Sequence, residues 1–181
     1  MKRVLEVGAA QGYSARNFLA AVDPFPGSVV VSIDKRQVPI KGNKHASVVD
    51  RVERVSAEQV AAKIPGDNKV LDLVFFDAHR LTQMDLFRKL KDAGMITDRT
   101  VVALHDTNFH YAKHVPTARE VSKGVFVHQE AERVIAQTLK DEFGYDLVSA
   151  RTDREDHDKT LPFRHGLTVC QKHAPFSRAT E

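Results

Sequence analysis

The stretch VLEVGAAQGYSA, residues 4–15, decides the fold. It begins as an apolar run of strand length, turns on Gly8 and Gly12, and continues into a segment with helical spacing of its apolar residues. A strand that ends in a glycine turn and feeds a helix brings free backbone N–H groups and the positive end of the helix dipole to one point. The stretch therefore predicts the first βαβ unit of an α/β fold, with a nucleotide-binding turn.

The glycine spacing does not match a dinucleotide loop. The fingerprint G-x-G-x-x-G, counted from Gly8, needs glycine at positions 10 and 13, where the sequence has Ala10 and Tyr13. The second glycine lets a pyrophosphate approach the backbone, so its absence counts against NAD and FAD. A purely structural turn is the alternative, because tight strand-to-helix turns need glycine in any α/β protein.

Strand-length apolar runs alternate with helical patterns along the chain. The strands are predicted at 3–7, 28–33, 52–56, 70–76 and 100–104, with helices at 14–21, 57–64 and 82–93. An amphipathic helix at 129–143 and two strands at 145–150 and 166–171 complete the pattern. This order predicts a Rossmann-like, doubly wound, mostly parallel sheet with an antiparallel last strand.

Composition limits the class of protein. With 181 residues and 42% hydrophobic content, the chain is predicted to form one domain over residues 1–173, with a flexible tail at 174–181. The net charge of +3 is spread along the chain, which indicates a solvated surface and leaves RNA binding open. The lone Cys170 excludes a disulfide framework. No apolar run approaches the ~20 residues of a membrane span, and the N-terminus lacks a signal-peptide pattern, so a cytoplasmic protein is expected.

Acidic and histidine side chains follow the predicted strands at the points where they end. Asp34 ends the second strand, where a carboxylate can accept both hydroxyls of a ribose. Asp77 ends the fourth strand, and His105 and Asp106 end the fifth. Because ligands of open parallel sheets bind beyond the carboxyl ends of the strands, these residues are predicted to line one pocket. The alternatives are a helix N-cap for Asp77 and a turn residue for Asp106.

Three features together resemble a known family. They are Glu6-x-Gly8-x-x-x-Gly12 followed by Tyr13-Ser14, Asp34 at the second strand end, and the segment LDLVFFDAHRLTQMDLFRKLKDAGMITDRTVVALHDTN at 71–108. They resemble the class I S-adenosylmethionine-dependent methyltransferases, and among these the metal-dependent small-molecule O-methyltransferases of the macrocin and catechol O-methyltransferase type. The likeness spans residues 3–108, and the order of the later helix and strands agrees with it.

The resemblance implies an S-adenosylmethionine site. Its residues by position are Glu6, Gly8, Ala9, Gly12, Tyr13, Ser14, Asp34, Ser56 and Asp77. Ser56 follows the predicted third strand, where the family contacts adenine, and an N-cap of the next helix is an equal alternative. Family members carry helices ahead of the glycine loop that cover the cofactor. The sequence shows none before its first strand, so an open site, a covering second subunit or an incomplete site is expected.

The resemblance also implies oxygen as the methyl acceptor. The Asn/Asp-Pro-Pro-aromatic motif of amino-methylating relatives is absent after the fourth strand, where the sequence reads FFDAHR. Methyl transfer to a hydroxyl needs a general base or a cation that stabilises the oxyanion. Asp77 and His79 are the predicted catalytic residues, with His79 as the candidate base and a surface histidine as its alternative.

A metal site is implied at the same strand ends. By resemblance, Asp77, His105 and Asp106 bind a divalent cation. Mg²⁺ is the cation of the family, and the histidine in place of a carboxylate opens the site to Mn²⁺, Fe²⁺ or Zn²⁺. The function predicted is methyl transfer from S-adenosylmethionine to a hydroxyl of a small molecule. A tRNA- or RNA-modifying methyltransferase and a non-catalytic cofactor-binding module are the two alternatives.

Overall fold

The computed structural model describes residues 1–107, 119–122, 125–127, 131–151 and 166–172. The strands in these ranges are β1 Arg3–Val7, β2 Val29–Asp34, β3 His45–Val49, β4 Leu73–Phe76, β5 Val101–His105, β6 Arg119–Ser122, β7 Val125–Val127, β8 Asp146–Arg151 and β9 Gly166–Gln171. The α-helices are α1 Tyr13–Val22, α2 Ala57–Ala61, α3 Gln83–Asp92 and α4 Ala131–Phe143, and a 3-10 helix spans Val52–Arg54.

Seven strands form one sheet in the order β3-β2-β1-β4-β5-β9-β8. The first five pair in parallel, whereas β9 is antiparallel to both β5 and β8. The chain leaves β1 toward β2 on one side and later returns to place β4 on the other side. The predicted fold class is therefore confirmed, and the switch point lies between β1 and β4, where ligands of such sheets bind.

The core explains why these segments form strands and helices. All five residues of β1 are buried, and so are the first five residues of β2, which are apolar apart from Ser32, and the last three of the apolar strand β4. The main apolar cluster includes residues of α2, α3 and α4, whereas Val22 of α1 packs in a separate cluster with Val4 and Val30. The four helices therefore cover both faces of the sheet, as a doubly wound fold requires.

The third strand differs from the prediction. It was expected at 52–56, but β3 lies at His45–Val49, and the residues after it form the 3-10 helix and the start of α2. The strand is at the sheet edge and only Val48 in it is buried, so its sequence lacks a continuous apolar run. Val52 and Val55 are buried from a connecting segment instead. Consequently Asp50 and Arg51, and not Ser56, come directly after the strand.

Other sequence expectations can be placed on this fold. Cys170 is a buried free thiol in β9, and burial raises its pKa to about 12. Among the helices in the described part of the chain, none has the length and apolar content needed to cross a membrane. The predicted tail at 174–181 lies outside the described residues. The antiparallel pair of β6 and β7 lies in the segment after β5, for which the sequence predicts neither a helix nor a strand.

Candidate active site

The loop after β1 packs closely against the end of β4. Gly8 has a φ of +95°, and a Cβ atom there would lie 2.4 Å from the carbonyl oxygen of Asp77. Gly12, at the N-cap position of α1, has a φ of +75°, and its Cβ would lie 2.9 Å from side-chain atoms of Val38 and Ile40. Backbone conformation therefore favours glycine at both positions, and close contact with the backbone of the β4 end additionally requires it at Gly8.

The carboxylate of Asp34 holds this loop from the end of β2. Its Oδ2 accepts a hydrogen bond from the Ala10 amide at 2.9 Å, and its Oδ1 accepts one from the Arg36 amide at 3.1 Å. A carboxylate offers about four lone-pair sites, so two sites stay available for the hydroxyls of a ligand. Asp34 is partly exposed, which gives a ligand access to it.

Glu6 lies beneath the loop and supports it. Its side chain is fully buried and accepts hydrogen bonds from the Ser14 hydroxyl and, at 2.8 Å, from the Ser32 hydroxyl. Burial raises the pKa of the Glu6 carboxyl, and the two serine hydrogen bonds oppose that increase. The geometry makes Glu6 an anchor for the first turn of α1, and its predicted contact with a cofactor stays a prediction.

A cleft opens beyond the ends of β1, β2 and β4. It is lined by Gly8, Ala10, Ile33, Asp34, Lys35, Asp50, Arg51, Val52, Asp77, Ala78 and Arg80. Three of the predicted cofactor residues, Gly8, Asp34 and Asp77, are in this lining. The others, Glu6, Ala9, Gly12, Tyr13, Ser14 and Ser56, do not belong to it; Ala9 is buried, whereas Tyr13 is exposed.

Ser56 caps a helix. Its hydroxyl accepts the Gln59 amide at 3.3 Å, while the Gln59 side chain accepts the Ser56 amide at 2.8 Å, which together form a capping box. The N-cap alternative for Ser56 is confirmed, and its adenine contact stays a prediction.

Two residues of the cleft were not predicted from the sequence because β3 was misplaced. They are Asp50 and Arg51, which line the cleft at the end of that strand.

A cluster of two carboxylates and two imidazoles lies at the ends of β4 and β5. One ligand atom each of Asp77, His79 and Asp106 lies within 4.8 Å of the other two. His79 Nε2 is 3.7 Å from Asp77 Oδ1 and 3.5 Å from Asp106 Oδ2. His105 Nδ1 is 3.3 Å from Asp77 Oδ1 and 3.3 Å from Asp106 Oδ1. The structure thus brings together all four residues named from the sequence at these two strand ends.

Backbone strain is concentrated at the same edge. Ala10, His79 and Asp106 have φ values of 44°, 52° and 55°, and they are the non-glycine residues with positive φ in the described ranges. A left-handed conformation costs a non-glycine residue roughly 1–2 kcal/mol. Such strain persists where surrounding contacts impose it, and it clusters at functional sites.

The N-cap alternative for Asp77 is wrong, because α3 begins at Gln83 and its N-cap residue is Thr82.

The neighbouring carboxylates shift both histidines in the same direction. Burial by itself would lower the pKa of His79, but the hydrogen bond and charge of Glu132, together with Asp77 and Asp106, raise it above its usual value. The hydrogen bond to Asp77 raises the pKa of His105, with burial opposing and the charge of Asp106 adding to the increase. The cluster therefore favours a positive charge, supplied by protons or by a cation.

The donor set fits a divalent cation. Metal–ligand bonds of about 2.1 Å place neighbouring ligand atoms roughly 3.0–3.4 Å apart. The separations of 3.5 and 3.7 Å around His79 Nε2 need to close by only a few tenths of an ångström. Two carboxylates and an imidazole suit Mn²⁺, Fe²⁺ or Zn²⁺ and, through the oxygens, Mg²⁺.

The strand order and the glycine turn define a Rossmann-like, doubly wound fold. No family model and no curated protein sequence matches the chain. Among solved structures, a Staphylococcus aureus protein assigned as a caffeoyl-CoA O-methyltransferase matches with a TM-score of 0.63, 16% identity, 94% of this chain and 76% of that chain.

Two further solved structures contain ligands. The SAH-bound Podospora anserina methyltransferase PaMTH1 matches with a TM-score of 0.54, 16% identity, 96% of this chain and 72% of that chain. MycE, a methyltransferase of the mycinamycin biosynthetic pathway in complex with Mg and SAH, matches with a TM-score of 0.53 and 13% identity. The match covers 95% of this chain and 45% of that chain. At these identities the comparisons establish the fold alone, which this chain shares with these methyltransferases.

Proposed function

We propose that the protein transfers the methyl group of S-adenosylmethionine to a hydroxyl of a small molecule, with the help of a divalent cation. The observation that carries the proposal is the double role of Asp77. Asp77 lines the cleft together with Gly8, and its carboxylate belongs to the cluster of carboxylates and imidazoles at the ends of β4 and β5. A cofactor in the cleft and an acceptor at the cluster would therefore be adjacent, as methyl transfer requires.

The cleft has the groups that the cofactor needs. The two remaining acceptor sites of Asp34 suit the ribose hydroxyls, since bonds from hydroxyls to a carboxylate are charge-assisted. Asp50 and Arg51, at the end of β3, provide polar groups on the far side of the cleft from Asp77, and we assign them to the adenine. The bound SAH in the Podospora and MycE structures, which share this fold, supports S-adenosylmethionine as the cofactor.

We assign the metal to Asp77, His79 and Asp106, and this set differs from the one implied by the sequence in taking His79 in place of His105. Ligand atoms of Asp77, His79 and Asp106 all lie within 4.8 Å of one another, with Nε2 of His79 facing both carboxylates, and the Mg in MycE supports metal assistance in this fold. When bound, a divalent cation would lower the pKa of the acceptor hydroxyl and stabilise its oxyanion. In this proposal His105 contacts both carboxylates and keeps them in place.

The test separates the two halves of the proposal. Titration calorimetry with S-adenosylhomocysteine should show one site per chain, with binding unchanged after chelation by EDTA. Transfer of labelled methyl to a panel of catechols and sugars should stop in EDTA and return with added Mg²⁺ or Mn²⁺. Folded protein that does not bind S-adenosylhomocysteine contradicts the proposal. Transfer that continues undiminished in EDTA rejects the metal, and His79 then serves as the general base through Nε2.

A further inference from the structure

Glu132 of α4 is buried against the cluster and contacts His79. The side chain has no exposed surface. Its Oε1 accepts the His79 amide at 2.7 Å, and its Oε2 lies 3.2 Å from Nδ1 of His79. One carboxylate therefore binds both the backbone and the ring of the same histidine, across 53 residues of sequence.

Gln83, the first residue of α3, completes this arrangement. It is fully buried, and its Nε2 donates to Glu132 Oε1 at 2.9 Å and to the Arg80 carbonyl at 3.0 Å. Its Oε1 accepts the Ala78 amide at 3.1 Å. Two buried side chains thus satisfy the polar groups of the turn after β4, and they hold His79 at a φ of 52° that it would otherwise avoid.

The contact with Glu132 decides which nitrogen of His79 can bind a metal. A carboxylate only accepts hydrogen bonds, so the proton of a neutral His79 ring belongs on Nδ1. Nε2 then presents its lone pair between the Asp77 and Asp106 carboxylates, at 3.7 and 3.5 Å. A lone pair between two carboxylates is unfavourable unless a proton or a cation lies among them, and this orientation of the ring is the one in which Nε2 can bind a metal.

We propose that Glu132 is a positioning residue, which fixes His79 with Nδ1–H on its own carboxylate and Nε2 directed at the cation. The inference rests on the metal part of the proposed function. A carboxylate behind a metal-binding histidine sets the ring orientation and raises its basicity, and loss of such a partner weakens metal affinity about 10–100-fold.

The first test measures Mn²⁺ alone. Unbound Mn²⁺ is followed by electron paramagnetic resonance during titration of the wild-type protein, Glu132→Gln and the control Glu142→Gln. Glu142 lies on the same helix but is exposed and pairs with Arg88 at 3.1 Å. We expect about 10–100-fold weaker Mn²⁺ binding for Glu132→Gln only, with S-adenosylhomocysteine affinity equal in all three proteins. Unchanged Mn²⁺ affinity in Glu132→Gln overturns the proposal.

The second test needs no folded Glu132 variant. Nitrogen NMR of the metal-free wild-type imidazoles, at a pH high enough that the His79 ring is neutral and with its signal identified by its loss in His79→Gln, should show the Nδ1–H tautomer. The Nε2–H tautomer overturns the proposal. Wild-type protein that binds S-adenosylhomocysteine but no Mn²⁺ also overturns it, and leaves the cofactor part of the proposed function standing. Mn²⁺ binding that weakens as expected, in protein that binds no S-adenosylhomocysteine, supports Glu132 and counts against the proposed function.

Discussion

The two halves of the proposed site are built from different parts of the chain. The half assigned to the cofactor (the cofactor half), at the ends of β1 and β2, is made of backbone: the Gly8 and Gly12 turns, and an Ala10 amide held by Asp34. The half assigned to catalysis (the catalytic half), at the ends of β4 and β5, is made of side chains, and among them His79 is held by the buried pair Glu132 and Gln83 from two helices. The first half should therefore fail when its shape changes, and the second when its charge changes.

The largest effect is expected from a change of charge in the catalytic half. Asp106→Asn keeps the shape of the side chain, and asparagine tolerates the left-handed backbone found there. Removing one anionic ligand should nevertheless lower methyl transfer about 1,000-fold, which equals roughly 4 kcal/mol. Unfolding and S-adenosylhomocysteine binding should stay close to wild type. A fully active Asp106→Asn protein would show that this half does not depend on its charge.

The opposite behaviour is expected of Gly8 in the cofactor half. Gly8→Ala changes no charge, but its Cβ would lie 2.4 Å from the Asp77 oxygen and 2.7 Å from the Ala78 nitrogen. We expect about 3 kcal/mol of lost stability in denaturant unfolding, from overpacking added to backbone strain.

Gly66→Ala is the matched control for this variant. Gly66 also has a positive φ, of +73°, but nothing lies within 4 Å of the position of its Cβ. Only the conformational strain applies there, so we expect a loss of about 1 kcal/mol. Equal losses in the two variants would mean that the loop moves away from β4 at little cost.

Burial of the strands explains which parts of the site the sequence could predict. Continuous buried strands are easy to place, and the ends of parallel strands meet at one edge of the sheet. The sequence could therefore predict the glycine turn, Asp34, Asp77 and the end of β5. The edge strand β3 was misplaced because it buries little. The pairing of His79 with Glu132 joins residues far apart in sequence, and no local pattern reports it.

One signal for Glu132 was nevertheless present. The buried positions of α4 include 132, 135, 136 and 139, which follow the spacing of one helix face, and three of them are Ile135, Ala136 and Leu139. A glutamate on that apolar face is rarely left without a partner. The sequence could therefore have indicated a buried acid on the last helix, although only the fold identifies the group that it binds.

An intermediate effect is expected at Asp34, a side chain of the cofactor half that acts through both shape and charge. Its carboxylate holds the Ala10 amide and is assigned to the ribose, so Asp34→Ala removes both a support and a ligand contact. We expect roughly 10–100-fold weaker S-adenosylhomocysteine binding by calorimetry, corresponding to about 1.5–3 kcal/mol. Asp92→Ala, at an exposed position of α3, is the control and should bind normally. Normal binding by folded Asp34→Ala would reject the ribose assignment.

The smallest effect concerns Glu6, whose carboxyl is buried beneath the cofactor half. Burial raises its pKa from 4.5, so the folded protein binds this proton more tightly than the unfolded chain does. Below pH 4.5 the carboxyl is protonated in both states, so its contribution to the free energy of unfolding does not change with pH. As the pH increases from 4.5 through the raised pKa, the unfolded chain ionises first, and the free energy of unfolding decreases until Glu6 is also ionised in the folded protein.

Glu6→Gln removes that charge and can still bond Ser14 and Ser32. Its stability relative to wild type, measured by denaturant unfolding, should therefore increase from pH 4.5 upward and level off once Glu6 is ionised in the folded protein. Glu142→Gln, at an exposed site, should show no such trend. A flat or falling difference for Glu6→Gln would mean that the two serine hydrogen bonds outweigh burial. In that case charge, and not shape alone, would also stabilise the cofactor half, and the contrast between the two halves would be weaker than the structure indicates.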